Sequence, residues 1–169
     1  MEEVQELVAN NTPEGEISEN VTLYFSDNGV SKIKLEAPIL QKVVQPQSSE
    51  EESQSDLICP QGMLVTFYDS LGKPESELYA NYGKLLTNEQ YLLVKDSVVF
   101  TNPKKDKLET ELLHIFFDKD SIVTPEIVKI TTKDGVIEGK GMTANTNFTK
   151  YRLNAITNSY YNLKENKEE

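Results

Sequence analysis

Hydrophobic and polar residues alternate with a period of two along most of this chain. Val21, Leu23 and Phe25 share one parity, and the next apolar run, Ile33 to Ile39, alternates with lysine and glutamate. Alternation of this kind predicts β-strands with one buried face and one exposed face. No long stripe with a period of 3.6 residues is present to indicate an amphipathic helix. The pattern therefore predicts an all-β protein.

A strand–turn–strand pattern occurs three times in the sequence. In each copy an apolar run reaches an Asp and a Gly, and a second run then ends in a small residue. The copies are Val21–Gly29 with Ile33–Ala37, Leu64–Gly72 with Leu78–Ala80, and Val128–Gly135 with Gly139–Ala144. Asp and Gly suit tight turns, so each copy predicts an antiparallel β-hairpin. Successive hairpins are typical of a sandwich, barrel or roll.

The remaining strands are predicted from shorter apolar runs. They are Tyr91–Val94, Val98–Thr101, Leu108–Phe117 and Lys150–Ile156, with turns at Asn102–Asp106 and Asp118–Ser121. The 169 residues fit one domain. We expect a flexible lead-in over residues 1–18, a β-domain over 19–160 with an acidic loop at 45–56, and a charged tail over 161–169.

Net charge and cysteine content narrow the function classes. The net charge of −11 argues against nucleic acid and gives no general attraction to anionic membranes. Cys59 is the single cysteine, which excludes an internal disulfide, and Pro60 beside it predicts a loop or strand-edge position. No apolar run approaches the length of a membrane span, and the acidic start does not resemble an export signal.

Catalytic and metal-binding patterns are missing from the sequence. His114 lies alone in an apolar run, without a second ligand at zinc spacing. Asp118 and Asp120 resemble the start of a calcium loop but lack its Gly and final Glu. Neither a nucleophile elbow nor a phosphate-binding loop is found. We therefore expect no enzyme, metal or cofactor; a glycan-acting enzyme would need a carboxylate pair in a cleft.

Apolar strand residues leave two interpretations open. They can close a dry core, or they can line a trough for acyl chains between two halves of the sheet, where each buried methylene contributes about 0.8 kcal/mol. The candidate lipid-groove residues are Leu23, Phe25, Ile33, Leu35, Phe67, Leu78, Phe100, Ile115, Phe117, Ile130, Met142 and Phe148.

The first and last strands of such a sheet have open edges that can pair with a strand of another chain. The candidate partner edges are Val21, Thr22 and Tyr24 at one end, and Tyr151, Arg152 and Leu153 at the other. Charged tails beside both edges could equally block such pairing.

Three Asp-Ser-apolar triplets begin at Asp69, Asp96 and Asp120, at predicted turns or strand starts. They resemble an acceptor pattern for O-glycosylation in some exported bacterial proteins. Ordinary turn chemistry of Asp and Ser is the favoured explanation of these triplets.

The order of these segments resembles the LptC family of lipopolysaccharide-export proteins over residues 20 to 157. The likeness rests on Phe25–Pro38, Phe67–Ala80, Gly83–Leu85, Asp106–Leu112, Val128–Ala144 and Tyr151–Leu153. The resemblance implies a twisted, open β-jellyroll that holds the acyl chains of lipopolysaccharide and has no cofactor. It implies partners at both ends, the periplasmic domains of an inner-membrane ABC transporter and an LptA-like bridge protein.

The resemblance also implies a periplasmic location and an inner-membrane anchor N-terminal to the present sequence. The acidic loop at 45–56 is longer than the family pattern leads us to expect. Two other interpretations stay open: a soluble sibling bridge protein of the same fold, and a β-rich surface or adhesion module with a filled core.

Overall fold

The computed structural model of the protein describes residues 3–6, 17–27, 29–44 and 55–161. These residues form twelve strands in one antiparallel sheet, and they contain no α-helix. The strands are β1 (Glu3–Glu6), β2 (Ile17–Asp27), β3 (Val30–Val44), β4 (Ser55–Cys59), β5 (Met63–Tyr68), β6 (Pro74–Ala80), β7 (Tyr82–Leu86), β8 (Tyr91–Thr101), β9 (Lys107–Phe116), β10 (Ser121–Thr132), β11 (Gly135–Ala144) and β12 (Tyr151–Tyr161). The all-β prediction is confirmed.

All three predicted hairpins are present, as β2–β3, β5–β6 and β10–β11. The β5–β6 turn shows why the sequence specifies them. Asp69 Oδ1 accepts hydrogen bonds from the backbone N–H groups of Leu71 and Lys73, each at 2.9 Å. Gly72 has φ +83°, a conformation that residues with a Cβ rarely adopt. The Asp and Gly of the repeated pattern, here Asp69 and Gly72, therefore form the turn.

The sheet branches between β3 and β8. β3 pairs with β5 through residues 33–36 and with β4 through residues 41–44. β8 pairs with β7 through residues 91–95 and with β6 through residues 99–101. Two layers result, named here the β5–β6 layer and the β4–β7 layer. Phe67 in β5 and Phe117 after β9 lie 6.3 Å apart between ring centroids, so the layers face each other as in a twisted jellyroll.

Bends in the long strands carry them from one layer to the other. β8 is one strand where two strands were predicted, because Asp96 and Ser97 form a bend and not a turn between hairpin arms. Their φ angles are 71° and 55°, and the register with β9 shifts between Lys95 and Val98. β10 bends in the same way at Pro125 and Glu126, where its register with β11 shifts. Such bulges increase twist and re-aim a strand.

The core lies between the layers and includes Phe100, Leu108, Leu113, Ile115 and Phe148, all with 0% exposure. The buried side chains of Ser76, Asn102 and Thr110 are hydrogen-bonded. Thr110 Oγ1, for example, donates to the Ile127 carbonyl across the bend in β10 at 2.8 Å. Cys59 ends β4 and is buried, which raises the pKa of its thiol to about 12. Cys59 pairs with Gly83 of β7, so it ends a strand inside the sheet and lies neither in a loop nor on an edge strand.

The predicted domain limits fall partly outside the described residues. Most of the acidic loop, residues 45–54, and the tail beyond Tyr161 lie there. The predicted lead-in contains β1, which pairs antiparallel with β2 from Glu3↔Ser26 to Glu6↔Leu23. The division into linker, domain and tail stays a prediction.

Candidate functional site

A cavity of about 700 Å³ lies between the two layers, beside the β2–β3 and β5–β6 turns. Strands β2, β3 and β5 line it from one layer, and β7, β8 and the turn after β9 line it from the other. Its apolar lining consists of Phe25, Ile33, Leu35, Val65, Phe67, Leu85, Leu92 and Phe117. Alternation places these side chains on the inner faces of their strands. The cavity is therefore apolar because the strand pattern dictates it.

Polar residues border the same cavity, mostly at the turns that end these strands. They are Ser26, Lys32, Tyr68, Asp69, Ser70, Glu75, Thr87, Gln90, Thr146 and Asn147. We call this set the polar rim. The pKa of the Asp69 carboxyl is lowered from its usual value because the backbone N–H of Lys73 donates a hydrogen bond to it. The backbone N–H of Leu71 adds to this effect. The polar rim contains one cation, Lys32, and two carboxylates, Asp69 and Glu75.

Five of the twelve predicted groove residues line the cavity: Phe25, Ile33, Leu35, Phe67 and Phe117. The other seven are packed in the core at 0% exposure: Leu23, Leu78, Phe100, Ile115, Ile130, Met142 and Phe148. Sequence reasoning missed Val65, Leu85 and Leu92 as cavity residues. Val65 shares the parity of Phe67, so alternation could have found it. The polar rim gave no such signal, since its members come from separate turns.

The loop between β11 and β12, Asn145–Lys150, closes one side of the cavity and is named here the closing loop. Asn145 stabilises it from within, because its Oδ1 accepts from the backbone N–H groups of Thr149 at 2.9 Å and Lys150 at 2.8 Å. Thr146 and Asn147 at its tip belong to the polar rim. Phe148 points the other way and is fully buried.

The predicted partner edges differ in their surroundings. At β2, Val21 is buried, Thr22 and Tyr24 are half-buried, and β1 already pairs with residues 23–26. At the other end, Tyr151 and Leu153 pack against the core while Arg152 is exposed. β12 pairs with β11 on one side, and no strand of the described residues pairs with its other side.

His114 lies in the β4–β7 layer, where its Nδ1 is 2.7 Å from the Tyr91 hydroxyl. Within the described part of the chain, no cluster of three or more His, Cys, Asp or Glu residues could hold a metal ion. No helix long and apolar enough to cross a membrane occurs in that part either.

The fold and the site together define a twisted β-jellyroll with an apolar cavity between its layers. A family model described as lipopolysaccharide-assembly, LptC-related, matches residues 2–162. The chain belongs to this family, which confirms the resemblance and assigns the protein to lipopolysaccharide transport. Members of this family are components of lipopolysaccharide transport, and the family is not a family of enzymes. A search of curated proteins found no match to the chain.

Proposed function

We propose that the protein holds acyl chains of lipopolysaccharide in the cavity and passes them on without breaking a bond. The observation that carries the proposal is an apolar cavity of about 700 Å³ to which both layers contribute, in a member of a lipopolysaccharide-assembly family. This volume suits a site for a small apolar ligand. Each methylene removed from water contributes about 0.8 kcal/mol, so a few acyl segments supply substantial affinity.

The polar rim supports a ligand whose apolar chains end in a polar head group. Hydroxyl and amide groups of Ser70, Gln90 and Asn147 can hydrogen-bond to sugar hydroxyls. Lys32 can attract a phosphate, whereas Asp69 and Glu75 repel one. We therefore place the phosphates of the head group near Lys32 and away from the β5–β6 turn.

Strand edges support the proposed hand-off. The β2 end would face the periplasmic domains of an inner-membrane ABC transporter, and the free edge of β12 would pair with an LptA-like bridge protein by β-augmentation. The protein would work in the periplasm, held at the inner membrane by a segment N-terminal to this sequence. A hydrophobic anchor there distinguishes this role from that of a soluble sibling bridge protein.

Site-specific photo-crosslinking to purified lipopolysaccharide tests the proposal. Benzophenone side chains replace Phe25, Ile33 and Phe117 in turn, and Lys34 serves as the control. Lys34 lies between Ile33 and Leu35 with opposite parity and pairs with Glu36 at 3.4 Å. We expect adducts at the cavity positions and none at Lys34. If the variants fold but none of the three cavity positions forms an adduct, the result would favour the alternative of a β-rich surface or adhesion module with a filled core.

A further inference from the structure

The closing loop bridges the two layers of the jellyroll. On one side Thr146 donates to Asp120 Oδ1, from its backbone N–H at 2.9 Å and from its Oγ1 at 2.6 Å. On the other side Ser76 Oγ donates to the Asn147 carbonyl at 2.7 Å. Asp120 follows β9 in the β4–β7 layer, whereas Ser76 lies in β6 of the opposite layer. The loop is therefore fastened across the gap between the layers.

Five aromatic rings run from the cavity to strand β12. Phe117 and Phe67 line the cavity, Phe100 and Phe148 are fully buried behind them, and Tyr151 begins β12. Successive centroid distances are 6.3, 5.3, 5.4 and 4.9 Å. The row leads from the cavity to the first residue of β12, and Phe100 and Phe148, both with 0% exposure, occupy its middle.

Phe148 holds this position with a backbone that bulky residues rarely adopt. Its φ is 57°, in the left-handed region, where a Cβ crowds the carbonyl oxygen. The Asn102 side chain donates to the Phe148 carbonyl at 2.8 Å and helps to hold the conformation. Strain of this kind persists where surrounding contacts determine it, and it often marks segments that function by switching.

We propose that Phe148 is the stop that ends the acyl-chain site on the β12 side. The closing loop must leave Asp120 and Ser76 before a chain can advance along the aromatic row to the strand edge. The inference rests on the proposed function and adds a specificity-determining residue to it. In the closed state the cavity and the β12 edge are separate compartments, so binding and onward transfer are separate steps.

The test places a benzophenone at Phe25 in the cavity, or at Leu153 in β12 beyond Phe148, and exposes each chain to purified lipopolysaccharide. Each probe is combined with the parent sequence, with Phe148→Ala, and with the double variant Asp120→Ala/Ser76→Ala. The double variant removes the loop's hydrogen bonds to the Asp120 and Ser76 side chains without opening a hole in the core, and it leaves the hydrogen bonds of Asn147 to Glu75 and of Asn102 to Phe148 in place. Leu113→Ala is the matched control, because Leu113 is equally buried but lies outside the aromatic row on β9, which β10 and β11 separate from β12.

We expect adducts at Phe25 in every folded chain. Adducts at Leu153 should rise several-fold in Phe148→Ala and to a smaller extent in the double variant, but not in Leu113→Ala. Strong Leu153 adducts in the parent, or no gain in Phe148→Ala, overturn the proposal that Phe148 ends the acyl-chain site, while leaving the proposed function intact. Absence of Phe25 adducts in the parent overturns the proposed function, and the stop with it. Circular dichroism establishes which variants are folded.

Discussion

The rings of Phe67 and Phe100 stack at a centroid distance of 5.3 Å, although Phe67 borders the cavity and Phe100 is fully buried. This contact marks the boundary between the site and the core. Two phenylalanines on neighbouring parts of one layer thus have different surroundings. Substitutions on the two sides of this boundary should have different consequences.

Arginine at the cavity should weaken ligand binding, whereas arginine in the core should unfold the protein. Phe117 is half-buried beside the cavity, so Phe117→Arg can extend its charge towards the polar rim and keep the fold. Phe100→Arg buries a charge without a partner, which costs roughly 3–5 kcal/mol. Denaturant titration and lipopolysaccharide crosslinking at Phe25 measure the two effects.

Leu71→Arg is the control for this pair, since Leu71 is 79% exposed in the β5–β6 turn. We expect it to change neither stability nor crosslinking. Equal losses of stability in Phe117→Arg and Phe100→Arg would contradict the boundary between site and core.

Gly139→Ala should loosen β12 from the sheet. A Cβ at Gly139 would lie 2.4 Å from the backbone carbonyl oxygen of Ala155, which a rotamer change cannot relieve. Crowding of this kind costs about 1–3 kcal/mol. Hydrogen exchange should therefore accelerate in β12. Gly72→Ala is the comparison: it strains only a turn with open space around it, so its effect should stay in the β5–β6 turn. Unchanged β12 exchange in Gly139→Ala would refute the prediction.

Asp69 should make stability depend on pH at the acid end. Its pKa is lowered in the folded state by the backbone N–H groups of Lys73 and Leu71, so its contribution is present above the unfolded pKa of about 4 and is lost as the pH falls through the folded pKa. Asp69→Asn keeps a neutral acceptor, so its stability should decline less between pH 5 and pH 2, roughly the range over which a carboxylate of this kind titrates. Asp118→Asn is the control, because it removes an exposed carboxylate outside the β5–β6 turn. Thermal melts across this range provide the measurement.

Cys59 should be unreactive until β4 opens. Burial raises its thiol pKa to about 12, so little thiolate exists near neutral pH. We expect iodoacetamide to label the folded protein far more slowly than the protein in guanidinium. Equal rates in the two states would show that β4 does not cover the thiol.

Ile156→Lys should weaken the proposed pairing with an LptA-like bridge protein without affecting the fold. Ile156 is 66% exposed on β12, and a lysine on an edge strand opposes docking of another strand. Ile127→Lys is the matched control, because Ile127 is 60% exposed but lies on β10, which has strands on both sides. Calorimetric titration with the bridge protein compares the two. If both variants weaken binding of the bridge protein equally, the contact is made by the sheet face and not by the strand edge.

The hairpins were predictable because each depends on neighbouring residues. Alternation sets the faces, and Asp69 and Gly72 build their turn from atoms within a few positions. The branch of the sheet at β3 and β8 was not predictable in this way, since it depends on pairings between distant strands. Asp96 and Ser97 misled the prediction because a bend within a strand uses the same residues as a turn.

The site was only partly predictable, for a related reason. Leu23 and Phe25 share a strand, a parity and an apolar character, yet only Phe25 lines the cavity. Alternation tells which face a side chain occupies. It does not tell how far apart the two layers lie at that point, and this separation decides between cavity and core.

The short strand β1 has a consequence for how a partner docks. It covers β2 only from Leu23 to Ser26, which leaves residues 17–22 without a neighbour from β1. A partner strand can start on that stretch and then displace β1 one residue at a time. Docking at this end would be strand exchange, in which β1 competes with the incoming chain and sets the rate of exchange.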